Sequence, residues 1–201
     1  MNVTLIDYGA GNATSVERAL HRLGAAATRA NTPEAIDQAD VLLLPGVGHF
    51  AALLNSLDQR GLRKPLLNAL RRGVPFLGIC LGLQALFQTS EEASQLRGLN
   101  FLPGNVQALP STVKLPHMGW NRLTRTRDSR LLAGIDDNSY FYFAHSYAVC
   151  ANDPSTVATS THGAKFVAVL ERENIFAVQF HPEKSGAPGS QLLKNFLQAA
   201  A

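Results

Sequence analysis

A chain of 201 residues that is 46% hydrophobic and 16% charged carries enough apolar material for one sizeable core, which excludes a disordered tail or a fibrous repeat. A formal net charge of +3 is mild, and the densest basic stretch, Arg122, Arg125, Arg127 and Arg130 in NRLTRTRDSR, has no interleaved aromatics. That stretch reads as a solvated face first, a surface for an acidic protein second and a nucleic-acid contact last. No apolar run is long enough to span a bilayer, MNVTLIDYG lacks the marks of a secretory leader, and two cysteines, Cys80 and Cys150, suit a reducing cytoplasm rather than a disulfide framework.

In chain order, VTLI reads as a short strand, and NATSVERALHRLG as a helix with Val16, Ala19, Leu20 and Leu23 on one face and Gly24 as its stop. VLLL, residues 41–44, reads as a strand buried on both faces, followed by PGVGHF and the helical FAALLNSL. KPLLNALRRG reads as a helix leading into PFLGI, again a buried strand, and a helix is expected after Cys80. Strands alternating with helices imply a mostly parallel sheet covered on both sides. The second half changes character: SYFYFAHSYAVC is strand-like, KFVAVLERENIFAVQF reads as two strands around Glu173-Asn174, and GSQLLKNFLQAA as a closing amphipathic helix with Leu192, Leu193, Phe196 and Leu197 inward. The expectation is a single α/β domain over residues 1–201 with antiparallel additions in its second half.

Gly78-Ile79-Cys80-Leu81-Gly82 is a G-x-C-x-G segment between a buried strand and a helix, the thiol analogue of the G-x-S-x-G nucleophile elbow. Flanking glycines let such a backbone turn sharply, and a helix N-terminus favours thiolate over thiol. A small core residue in a Gly-rich turn is the competing account. Cys150 ends a strand and reads as a packed thiol.

A cysteine nucleophile needs a base, and the base needs orienting. His21 falls on a polar helix face and His162 in a Thr/Gly-rich turn, so both read as solvated. His181 follows the strand NIFAVQF and is held by Pro182, and Glu183 stands two residues on. In an extended H-P-E those two side chains share a side, so Glu183 can fix the imidazole tautomer. Pro45-Gly46-Val47-Gly48 ends another buried strand, and its amides can turn toward a developing oxyanion, unless it is a plain strand-to-helix turn. Neither this loop nor Gly9-Ala10-Gly11 is a dinucleotide fingerprint, because Ala51 and Thr14 stand where the third glycine would be.

Together, G-I-C-L-G, P-G-V-G and F-H-P-E resemble the class I (triad-type) glutamine amidotransferases. DYGAGN, PHMGWN (116–121), FYFAHSY (141–147) and FHPEKS (180–185) are similar, within that family, to glutaminase subunits of imidazole glycerol phosphate synthase. The resemblance covers essentially the whole chain. It implies a flavodoxin-like domain that hydrolyses L-glutamine and passes ammonia to a separate (β/α)8-barrel cyclase in a heterodimer serving histidine biosynthesis.

By motif match the resemblance makes Cys80 the nucleophile, His181 the general base and acid, and Glu183 its orienter. Gly46, Val47 and Gly48 with the Leu81 amide form the oxyanion hole, and Gln84 with His145, Ser146 and Tyr147 holds the glutamine. Helix-surface placement competes for Gln84, and core packing for Tyr147. Neither a metal nor an organic cofactor is called for. Ammonia must not escape to water, so the cyclase is expected to cap the site. Asn12, Lys184 and the large apolar Met118 and Trp120 of a PHMGWN loop are the expected contacts, with core packing of Trp120 the competing account. Another thiol hydrolase of the same fold, a peptidase or γ-glutamyl hydrolase acting without a synthase partner, remains the alternative function.

Overall fold

The computed structural model describes residues 2–9, 12–150 and 154–201, so Ala10 and Gly11 of the DYGAGN motif lie outside the described residues. In chain order the elements are β1 (Asn2–Ile6), α1 (Ala13–Arg22), β2 (Ala26–Ala30), α2 (Pro33–Asp37), β3 (Leu42–Gly46), α3 (Phe50–Gln59), α4 (Arg63–Arg71), β4 (Phe76–Cys80) and α5 (Leu81–Gln84). The short strands β5 (Thr89–Ser90), β6 (Asn105–Ala108), β7 (His117–Arg122) and β8 (Thr124–Arg125) come next. Then follow β9 (Tyr140–His145), β10 (Tyr147–Val149), β11 (Thr156–His162), β12 (Ala164–Arg172), β13 (Ile175–Val178) and α6 (Gly186–Ala199).

An eight-stranded sheet in the order β2-β1-β3-β4-β13-β12-β11-β8 is the frame. The first five strands run parallel, and β12, β11 and β8 extend the sheet antiparallel. The expected division into a parallel first half and antiparallel additions is therefore present, with the β12–β13 hairpin turning at Glu173 (φ +54). β5, β6 and β10 form a separate small sheet, and β7 pairs with β9 in a two-stranded ribbon.

Every residue of β3, β4 and β13 is buried, and the period-2 alternation of a strand distributes them to two cores. Leu42, Leu44, Phe76 and Ile175 face one core with α2, α3, α4 and α5; Leu43, Leu77, Ile79 and Phe176 face the other with α1 and α6. Each buried Leu or Phe contributes roughly 1.5–3 kcal/mol. Such runs of consecutive apolar residues fit a central parallel strand, buried on both faces. In α6, Leu192, Leu193 and Phe196 are fully buried and Leu197 is only half-buried.

Several features differ from the sequence expectation, beyond the unforeseen strands β5, β6, β8 and β11. β2 is an additional edge strand whose AATRA sequence is mostly exposed and carries no apolar run. α2 is an additional one-turn helix, capped by Thr32 and started by Pro33. SYFYFAHSYAVC is two strands in two different sheets, broken at Ser146. PHMGWN is not a loop: residues 117–122 are β7, in register with β9 from His117↔His145 to Arg122↔Tyr140.

Candidate active site

The carboxyl ends of β3, β4 and β13 meet at one crevice, where open α/β sheets place their ligands. Cys80 closes β4 in a left-handed conformation, φ +53 and ψ −105, that a residue with a Cβ rarely adopts. Such a backbone costs of order 1–3 kcal/mol and is held by its surroundings. The flanking glycines act differently from the sequence expectation. Gly78 and Gly82 supply close approach: a Cβ on Gly78 would stand 2.7 Å from the Gly82 carbonyl oxygen, and one on Gly82 only 2.1 Å from that of Leu44. The turn strain thus sits on the cysteine itself. α5 is a single turn, so the dipole of a long helix is not what faces the thiol.

His181 follows β13 and is 2% exposed. Its backbone is clamped: its N–H donates to Tyr142 O (2.9 Å), and its carbonyl accepts from the Ser185 hydroxyl (2.6 Å). Its Nδ1 lies 2.9 Å from Glu183 Oε1. The H-P-E segment is not extended as expected; a 3-10 turn over Pro182–Lys184 brings the carboxylate back under the ring. The Glu183 side chain is 0% exposed, and its Oε2 has no hydrogen-bond partner among the described residues. Burial would push the imidazole down, but hydrogen bonds to Cys80 and Glu183 outweigh it and raise His181 to about 10. An imidazolium between a thiol and a carboxylate is an arrangement suited to nucleophilic catalysis.

Cys80, His181, Val47, Gly48, Leu81 and Gln84 line a cavity of about 170 Å³, and Ala144, His145, Ser146 and Tyr147 form its other side. Gly48 takes φ +96, as a turning amide loop requires. Gly46 does not reach the wall. It pairs with Cys80 in the sheet, and a Cβ there would lie 2.6 Å from that of Leu81, so its smallness serves packing.

Gln84 is buried, not on a helix surface: its Nε2 donates to Tyr147 O (2.7 Å) and Gln179 Oε1 (3.1 Å). That nitrogen is committed to the wall of the cavity, and Gln84 lines the cavity beside Cys80. Asn12 is half-buried, and its side-chain amide donates to Glu183 Oε1, which makes it a support of the carboxylate.

Met118 and Trp120 are 66% and 56% exposed on the outer face of β7, so core packing does not apply to Trp120. Trp120 meets the Tyr142 ring edge-on at 5.9 Å, and Lys184, at the cavity rim, holds its ammonium 5.7 Å above that same ring. His162 is not free in solvent; it stacks on His117 at 4.2 Å and bonds Lys114 O. The arginines of 122–130 are largely tied down: Arg127 donates to the Glu171 carbonyl, and Arg130 to that of Glu173.

Sequence reasoning missed Gln179, whose Nε2 points at Cys80 Sγ (3.5 Å). An amide in the otherwise apolar FAVQF was its signal. It also missed Glu92, a carboxylate on the cavity wall that accepts from Phe50 N, and Tyr8, a buried phenol beside the Val47 backbone. Burial pushes the Tyr8 phenol up to about 12, against the influence of the Val47 backbone. Among the described residues no cluster of His, Cys, Asp or Glu is arranged to hold a metal, and no helix is long and apolar enough to cross a membrane.

Residues 4–200 match the family model described as glutamine amidotransferase class-I. The chain is 47% identical over 195 residues to the imidazole glycerol phosphate synthase subunit HisH of Moorella thermoacetica, covering 96% of this chain and 93% of that one. It is 45% identical to the HisH subunit of Methanothermobacter thermautotrophicus, covering 98% of both. A solved structure described as a glutamine amidotransferase superposes with a TM-score of 0.79 over 98% of each chain at 18% identity, a likeness of fold.

Proposed function

The chain belongs to the glutamine amidotransferase class-I family, with full-length likeness to the HisH glutaminase subunits of histidine biosynthesis, and from that premise we propose how its own residues hydrolyse L-glutamine and to whom the ammonia goes. The observation that carries the reading is the strained Cys80 facing a buried His181 that is bonded to Glu183. The Cys80 thiolate attacks the side-chain carboxamide carbon. Backbone amides of the Val47–Gly48 loop and Leu81 hold the oxyanion. His181, whose Nδ1 is engaged by Glu183, gives the proton on its other nitrogen to the departing amine, and the C–N bond breaks to release ammonia. Water then attacks the thioester, returns a proton to His181, and frees glutamate and the thiol.

Glu92 supplies negative charge for the substrate ammonium. The ammonia passes to a (β/α)8-barrel cyclase subunit bound as a heterodimer over the Met118, Trp120 and Lys184 face, where it is used to make imidazole glycerol phosphate. The cytoplasm is the compartment we assign, in keeping with two free thiols. The test is glutamate release by this chain with and without a cyclase subunit and its nucleotide ligand. Weak activity alone, a rise on complex formation, and loss in Cys80→Ala with retained use of ammonium salts are expected. Undiminished hydrolysis by Cys80→Ala overturns the assignment.

A further inference from the structure

A pair of histidines joins the cavity to the ribbon behind it: His145 lines the cavity and His117 lies outside it, and neither acts in the chemical steps above. His117 of β7 and His145 of β9 face each other across the ribbon, 5% and 6% exposed, with His117 Nδ1 3.0 Å from His145 Nε2. Their neighbours fix where every proton sits. His145 Nδ1 lies 2.9 Å from the Tyr147 carbonyl, which can only accept, so Nδ1 carries the hydrogen and Nε2 is bare. His117 must then donate from Nδ1, which leaves its Nε2 as an acceptor. Asn121 Nδ2 meets that nitrogen at 3.3 Å and gives its second hydrogen to Thr161 O at 3.0 Å. Donors and acceptors match along the whole chain with both rings neutral. Burial, more than any neighbouring charge, holds the two imidazoles down, at about 4 and about 3.

This chain ends on the pocket. The Tyr147 carbonyl that His145 holds also accepts from Gln84, Gln84 bonds Gln179, and Gln179 points at the Cys80 sulfur. At its other end it lies on the inner side of β7. The strand's alternation turns His117 and Asn121 inward, and Met118 and Trp120 outward to solvent. A buried polar chain is worth keeping over an apolar filling only where orientation matters, since any broken link strands a buried donor or acceptor.

We infer that His117 is a positioning residue for the glutamine pocket: through His145 it fixes the Ser146–Tyr147 wall, and it ties that wall to the strand that presents Met118 and Trp120. The inference rests on the glutaminase reading above and adds to it a residue outside the cavity. In His117→Phe the ring still stacks on Phe143 and His162, but His145 Nε2 loses its donor and the wall is free to shift. His117→Asn sets an amide nitrogen near the position of Nδ1 and restores that donor.

The experiment assays glutaminase activity of the complex with the cyclase subunit for wild type and both variants, beside their melting temperatures. His117→Phe is expected to raise KM for glutamine about tenfold with kcat within about threefold, the scale of one lost positioning hydrogen bond. His117→Asn is expected to recover most of that KM. An unchanged KM in His117→Phe overturns the inference, as does a parallel fall of kcat and folded fraction that His117→Asn does not relieve. Nitrogen-15 spectra of the wild-type rings give a second reading that needs no variant. Both imidazoles should be protonated at Nδ1 and bare at Nε2, and an Nε2–H tautomer on either ring rules the chain out. Inactivity of the wild-type complex itself would instead count against the glutaminase reading.

Discussion

Gly82 of α5 passes so close to Leu44 of β3 that a Cβ on it would stand 2.1 Å from the Leu44 carbonyl oxygen. Both atoms belong to backbone held in a fully buried strand and turn, so neither can swing aside. Gly82→Ala must therefore push the Leu81–Gln84 turn off β3, at the ~1–3 kcal/mol typical of overpacking, and shift Cys80 with it. The expected result is a lower urea midpoint together with a loss of glutaminase activity larger than the lost folded fraction. Wild-type activity in a stably folded Gly82→Ala would show that the elbow tolerates displacement.

Cys80 and Cys150 are both free thiols, and Cys150 is the exposed one, with its sulfur against Gln107 Oε1. A general alkylating reagent will therefore reach Cys150. A glutamine-shaped electrophile such as a diazo-ketone analogue must instead enter the cavity that Cys80 and His181 line. One adduct, on Cys80, is expected by peptide mass mapping after a stoichiometric exposure. Equal labelling of Cys150 would remove the basis for calling Cys80 the nucleophile.

Glu183 contributes, after the bond to Cys80, to raising His181 to about 10. That value lies above the ordinary 6.5 of histidine, so the imidazolium persists through neutral pH and is lost as pH rises through the folded value. Glu183→Gln keeps the shape and removes the charge. The alkaline limb of kcat/KM is expected to move to lower pH, and turnover to fall roughly 10²–10⁴-fold, the range for losing the orienting acid of a triad. A pH profile identical to wild type would disconnect the carboxylate from the imidazole's titration.

Trp120 is more than half exposed and rests on the edge of Tyr142. Its truncation removes little from the core, so Trp120→Ala should leave the melting temperature of the isolated chain almost unchanged. Aromatic anchors dominate interfaces, and the same change is expected to weaken binding of the cyclase subunit by ~2 kcal/mol or more in calorimetry. Unaltered affinity would put the partner on another face.

The neutral histidine pair carries a signature in stability against pH. Burial, the first cause in both rings, holds His117 at about 4 and His145 at about 3. Below about pH 6.5 the unfolded chain binds protons that the native chain refuses. The stabilisation is therefore whole above 6.5 and is lost as pH falls through the two folded values. His117→Phe removes one such group, so its urea midpoint should decline less steeply between pH 6.5 and 4 than that of wild type. Equal slopes would mean that His117 is already protonated, or solvated, near neutrality.

The strands β3, β4 and β13 and the helices α1, α3, α4 and α6 were legible because their signal is local. Runs such as VLLL and PFLGI can only be buried on both faces, and periodic leucines mark a helix wherever they stand. The residues that meet at the crevice, Cys80, His181, Glu183, Val47 and Gly48, were legible for a related reason. Their chemistry demands Gly-rich turns at strand ends, and those leave marks in a few consecutive residues. What the chain order could not decide was pairing. AATRA is a strand because β1 offers it an edge, and HMGWNR is a strand because β9 lies beside it, with no apolar run in either to announce it. The same holds for individual side chains. Gln84 and Gln179 become one buried hydrogen-bonded pair, Asn12 reaches Glu183 across 171 residues, and His117 meets His145 through the register of two strands. Hydrophobic burial is a property that each residue carries with it, so the sequence determined the layers and the ends of the strands at which the site is built. A hydrogen bond needs a partner at about 3 Å in the right direction, and that partner is supplied only by the folded backbone.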